Sequence, residues 1–178
     1  MDELLYVIPA NSSKEEVLKY VSEHPEIKFV SLVGIDMAGN DTDEKIPMRI
    51  FVKDIDDFYA GSAVQTDGSS VVLTGIATLN NAKVDMPIDP TVNWFVDYNY
   101  EHYDEDLGKP VGTLRIPAFL VHEGKRVDSR AVLADTLEFV KKEMLDLLHS
   151  NGQISGLVLN GADVEDISFT SATELEFW

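Results

Sequence analysis

The feature that most constrains this chain is the run Phe29-Val30-Ser31-Leu32-Val33-Gly34-Ile35, which is apolar on both alternating faces and rich in branched residues. A segment of that kind suits a strand covered on both sides, so the fold must supply a layer to cover it. Ala38-Gly39-Asn40-Asp41 reads as a turn, and Lys45-Ile46-Pro47-Met48-Arg49-Ile50 as a returning second strand. Pro47 donates no hydrogen bond, which predicts an edge strand or a nitrogen facing outward. Upstream, Ser12 with Glu15 and Ser13 with Glu16 form overlapping capping boxes that open a short helix, which carries Val17, Leu18 and Val21 and stops at Pro25. Downstream, Asp54 is placed to cap a helix bearing Ile55, Phe58 and Tyr59, closed by Gly61. Strand, turn, strand and covering helix are the grammar of an α+β domain.

The stretch from Ser62 to Asn81, around Asp67-Gly68-Ser69-Ser70, has little periodicity and reads as a long positioned loop. Val92 to Tyr100 and Gly112 to His122 read as extended segments joined by a solvated acidic tip at Glu101, Asp104, Glu105, Asp106 and Gly108. The longest helix starts at Asp128 or Ser129, carries Leu133, Leu137, Val140, Met144 and Leu147 on one face, and ends at Asn151-Gly152. That face is expected to be buried. Residues from Ile167 to Trp178 have the composition of a strand, for which pairing with a sheet edge is expected over Phe169 to Trp178. The weakest join lies near residues 119–128. With 178 residues and 44% apolar side chains, the chain holds one domain of ordinary size or one and a fraction.

Charge removes several partner classes. Lys plus Arg is 14 against 32 Asp plus Glu, a net charge of −18, so nucleic-acid backbones and anionic membranes would be repelled by the surface as a whole. Without cysteine there is no disulfide, thiolate metal site or thiol nucleophile. Met1-Asp2-Glu3 places acid where a secretory leader needs base, and no apolar run approaches the roughly 20 residues of a bilayer span, so a soluble, cytoplasmic protein is the expectation.

The clearest chemical pair is Glu174 and Glu176. In a strand these share one face at about 7 Å, and such carboxylates repel unless a cation or proton intervenes; hard oxygen ligands so spaced suit Mg²⁺ or Mn²⁺. The same alternation also suits the solvated side of a strand whose other face, Leu175 and Phe177, is in the core. Asp67 in Asp67-Gly68-Ser69-Ser70 reads either as a self-bonded turn or as a carboxylate carried on a rigid loop to a site it does not itself build. His24, His102, His122 and His149 are scattered without metal or triad spacing, and there is neither a nucleophile elbow nor a glycine-rich phosphate loop.

Six segments taken in order resemble the N-terminal part of glutamine synthetase. They are Gly34-Ile35-Asp36-Met37-Ala38-Gly39-Asn40, Lys45-Ile46-Pro47, Asp67-Gly68-Ser69-Ser70, Asp85-Met86-Pro87-Ile88-Asp89-Pro90-Thr91, Asp128-Ser129-Arg130 and Glu174-Leu175-Glu176-Phe177. The resemblance covers residues 28 to 178. It implies an α+β, β-grasp-like mixed sheet with covering helices over residues 28–122, preceded by a helical leader at 1–27 and followed, over 123–178, by the long helix and first strand of a catalytic domain. It further implies a ligase that uses ATP and Mg²⁺ or Mn²⁺ to form γ-glutamyl phosphate from glutamate, which ammonia then attacks. The family works as homo-oligomeric rings with active sites between subunits. On this resemblance Glu174 and Glu176 match the metal-binding glutamates, and Asp67 matches the loop aspartate that binds ammonium and draws off its proton.

The chain departs from the family at Thr66, where phenylalanine is usual, and in longer segments at 12–24 and 152–167. The remaining metal ligands, the ATP surface and the glutamate-binding arginines are not in this chain, and each cation needs about six oxygens. The chain alone is therefore expected to be inactive, and its end at Trp178 is expected to mark a truncation. A stand-alone β-grasp interaction module, and a fragment of a γ-glutamyl-amine ligase of the same family, remain as alternative readings.

Overall fold

The structure is a computed structural model that describes residues 4–68, 70–73, 83–151 and 160–172. It divides into two compact units, Met1–Val132 and Leu133–Trp178. In chain order the elements are β1 (Val7–Ile8), α1 (Lys14–Glu23), β2 (Ile27–Ile35), β3 (Asp41–Pro47), α2 (Met48–Lys53), α3 (Ile55–Ala60), β4 (Gln65–Asp67), β5 (Lys83–Asp85), β6 (Trp94–Asp104), β7 (Lys109–Pro117), β8 (Val121–His122), β9 (Lys125–Arg126) and α4 (Ser129–Asn151).

The first unit is α+β. Its larger sheet is mixed, five strands in the order β1-β6-β7-β2-β3, with β2 parallel to β7 and the other pairs antiparallel. A smaller sheet has the order β4-β5-β8-β9. The architecture is consistent with a β-grasp-like fold. Val30 and Leu32 of β2, Leu114 and Ile116 of β7 and Trp94 and Val96 of β6 join one buried cluster with Val17 and Val21 of α1, Phe51 of α2 and Phe58 of α3. Phe51 is fully buried and meets Phe58 edge-on, with ring centroids 4.9 Å apart, and Trp94 at 6.4 Å.

Local chemistry explains most element ends. At α1 the Ser13–Glu16 box forms: the Glu16 amide donates to Ser13 Oγ at 3.2 Å and the Ser13 amide to Glu16 Oε2 at 2.8 Å. The Ser12 hydroxyl instead donates to the Pro9 carbonyl. Gly61, at φ +78°, closes α3 in the left-handed region. The expected strand over Lys45–Ile50 ends at Pro47, and Met48–Lys53 is helical. β3 is the polar edge of the sheet, as Pro47 foretold, and the turn into α2 lets Phe51 leave the edge and enter the core. The expected loop after Ser62 contains a short strand, Gln65–Asp67, paired with Lys83–Asp85. Gly34 is required by close approach, since a Cβ there would lie 2.5 Å from Leu120 Cδ2.

Asp128, fully buried, caps α4: its Oδ1 accepts the Ala131 amide at 2.8 Å while Oδ2 accepts the Leu120 amide at 2.9 Å. Within the second unit α4 continues to Asn151, Lys141 pairs with Asp166 at 2.6 Å, and Nε2 of His149 donates to the Val164 carbonyl at 2.8 Å. Of the stripe expected to be buried, Leu133, Leu137, Met144 and Leu147 are exposed and Val140 is half-buried among the described residues. Residues 167–172 form no strand, and the rest of the expected terminal strand, 173–178, lies outside the described residues. Among the described residues no helix is long and apolar enough to cross a membrane.

Candidate functional site

The segment carrying Asp67 is held at both ends. On the upstream side β4 pairs with β5, placing Thr66 opposite Val84 and Asp67 opposite Lys83. Thr66 is buried, while Asp67 at the strand's end is exposed. The Ser70 amide donates to the Asp67 carbonyl at 2.8 Å and begins the return. Both readings of the motif are therefore compatible with the structure: the segment turns on itself and it presents a carboxylate. Downstream, Val71 and Leu73 are buried and Val72 between them is exposed.

The backbone of Val72 is where the loop meets Asp36. Its amide donates to Asp36 Oδ2 at 2.9 Å, and its carbonyl accepts the Met37 amide at 2.9 Å. Asp36 is only 3% exposed, and its Oδ1 accepts the amides of Ala38 and Asn40, each at 2.9 Å. The Asn40 side chain donates to Oδ2 at 3.2 Å. Burial pushes the Asp36 carboxyl up, but the donors from Val72, Asn40 and Ala38 together outweigh it and hold it below the usual aspartate value.

A second buried carboxylate lies in the Asp85–Thr91 segment. Asp89 is 1% exposed, accepts the Thr91 amide at 2.9 Å and the Thr91 hydroxyl at 2.7 Å, and pairs with the Arg130 guanidinium. Arg130 also lies over the Phe119 ring at 5.3 Å. Burial raises the Asp89 carboxyl, and Thr91 and Arg130 more than offset that. Arg130 and Arg115 flank an apolar groove of about 410 Å³ on the other face of the sheet, lined by Val33, Ile35, Val92, Phe95 and Pro117. Arg115 is itself paired with Asp41 at 2.9 Å and Asp43 at 3.8 Å, so neither guanidinium brings uncompensated charge to the groove.

The signs of these shifts fix an acid limit. A carboxylate whose folded pKa is depressed stabilises the fold fully above its unfolded value and loses that contribution as pH falls towards the folded value. With Asp36 and Asp89 both depressed, stability is expected to hold from neutrality down to about pH 4 and to fall below it. Urea midpoints across pH 7 to 3 check this; a flat profile below pH 4 would contradict it.

Glu174 and Glu176 lie outside the described residues. Among the described residues no group of three or more His, Asp or Glu side chains is placed to hold a metal ion. The sequence marked Asp36, Asp89 and Asp128 as members of motifs but not as buried anchors. An aspartate followed by Gly39 and Asn40, or by Thr91 two residues on, was the available signal, since such residues bond backbone amides just downstream.

No family model matches the chain, and no curated protein matches it. Solved structures do. A cryo-electron microscopy structure of Plasmodium falciparum glutamine synthetase aligns at TM-score 0.51 and 18% identity, over 76% of this chain and 24% of that one. A GmaS complex with ADP aligns at TM-score 0.47 and 16% identity, over 71% and 26%, and GmaS without ligand at 0.44 and 16%, over 76% and 26%. The chain thus spans about a quarter of the length of the structures it matches. At these identities the likeness is one of fold, and the fold of this chain is similar to part of a glutamine synthetase.

Proposed function

We propose that this chain is the amino-terminal part of a glutamine synthetase-type ligase of the cytoplasm, with a β-grasp domain over 28–122 and the opening of a catalytic domain over 123–178. The observation that carries the reading is Asp67, an exposed carboxylate at the end of β4 on a segment pinned on both sides. In a partner copy's site such a group concentrates ammonium by charge and accepts its proton, leaving neutral ammonia as the nucleophile. Glu174 and Glu176 would hold one divalent cation each, and those cations, with ATP, supply the neutralisation that phosphoryl transfer to glutamate requires. The described residues offer no such cluster, so the reading places the other ligands in the remainder of a homo-oligomeric enzyme. The order of the six motifs along the sequence, together with a fold similar to part of a glutamine synthetase, supports it.

The complete product of the gene is expected to release phosphate from ATP only when glutamate and ammonium are both present, and the 178-residue chain to release none. In the complete protein, Asp67→Ala is expected to raise the ammonium KM by about tenfold or more, leaving the KM for ATP within about twofold. Unchanged ammonium saturation would remove the role given to Asp67, and turnover by the 178-residue chain alone would overturn the division of labour.

A further inference from the structure

We infer that Asp36 is the positioning residue of the Asp67 segment, fixing through the Val72 backbone where the Asp67 carboxylate stands. The inference rests on the role proposed for Asp67. β4 fixes the segment on one side through its pairing with β5, but on the other side Val71 and Leu73 are held by packing, which restrains depth more than sliding along the chain. The register there comes from two hydrogen bonds to one residue, Val72 amide to Asp36 Oδ2 and Met37 amide to Val72 carbonyl, each 2.9 Å.

The choice of aspartate follows from the donors around it. Oδ1 faces the amides of Ala38 and Asn40, and Oδ2 faces the amide of Val72 and the side-chain amide of Asn40. Every group presented to the carboxylate is a donor, so both of its oxygens must be acceptors. Asparagine has the same shape but one donor end. Keeping its oxygen on Ala38 and Asn40 would set its NH₂ against the Val72 amide, releasing the loop while the turn at residues 36–40 stays closed. Asp36 touches neither substrate nor cation in this reading, and it acts through Asp67.

Two measurements test it. In the 178-residue chain, Asp36→Asn is expected to speed hydrogen exchange at the Val72 amide by about tenfold, with the Ala38 and Asn40 amides still protected. In the complete protein the same variant is expected to raise the ammonium KM by about tenfold, with the KM values for ATP and glutamate within about twofold. Asn40→Ala, which keeps the Val72 contact, is expected to change neither.

Unchanged Val72 exchange would overturn the clamp. Ammonium saturation altered by Asp67→Ala but not by Asp36→Asn would overturn the positioning role while leaving the functional reading intact. A fall in kcat with lowered thermal stability and no ammonium-selective change would also overturn it, by reducing Asp36 to a structural residue. If Asp67→Ala itself left ammonium saturation unchanged, the functional reading would fall and the inference with it, and Val72 exchange would still report on the clamp separately.

Discussion

Phe51→Ala is expected to destabilise the first unit by about 3–5 kcal/mol, a large part of what a domain of this size possesses. Phe51 is fully buried and sits where α2, α3 and β6 converge, edge-on to both Phe58 and Trp94. Truncation removes the transferred apolar surface and leaves a cavity between rings that have no shorter partner to close on. Phe51→Leu, which keeps most of the volume, is expected to cost well under half as much. Urea denaturation followed by far-ultraviolet circular dichroism measures both. Equal midpoints for Phe51→Ala and the parent chain would show that the convergence of helix and sheet at this point is not what holds the unit together.

Arg130→Ala is expected to destabilise by about 3–5 kcal/mol, and Asp89→Ala by less. The asymmetry follows from exposure. The Asp89 side chain is 1% exposed and the Arg130 side chain 33%, so the guanidinium can recover water when its partner is lost, whereas the carboxylate cannot. The loss on removing Asp89 comes mainly from the Thr91 amide and hydroxyl, which both donate to it and are left stranded. The double variant should be less destabilised than the sum of the two, because Arg130→Ala costs little once its partner is gone. Urea midpoints for the three variants complete the cycle. A larger loss for Asp89→Ala than for Arg130→Ala would mean that the bonds from the Thr91 amide and hydroxyl, at 2.9 and 2.7 Å, matter more than the ion pair.

What the sequence disclosed was mostly local. The Ser13–Glu16 box, the left-handed Gly61, the edge position of Pro47 and the start of α4 all depend on residues a few positions apart, and each formed. Where a residue's state is set from far away, local pattern misled. Met48–Ile50 looked extended beside Ile46 but opens the helix Met48–Lys53, because Phe51 is drawn into a core built by Phe58 and Trp94. Gln65–Asp67 carries no periodic signal of its own and becomes a strand only through Lys83–Asp85. At the candidate site the motif containing Asp67 was legible, while the duty of Asp36 depends on Val72, a contact that only the folded chain creates.

The parallel pairing at the centre of the larger sheet has a consequence for synthesis on the ribosome. β2 meets β3 almost at once, but its other flank receives β7 only after all of α2, α3 and β4 to β6 have been made. At about 5–20 residues per second that wait is roughly 4–16 s. During it the nascent chain displays the open flank of Ile27–Ile35, the same apolar run from which the fold is built, to whatever chaperone or neighbouring polypeptide reaches it first.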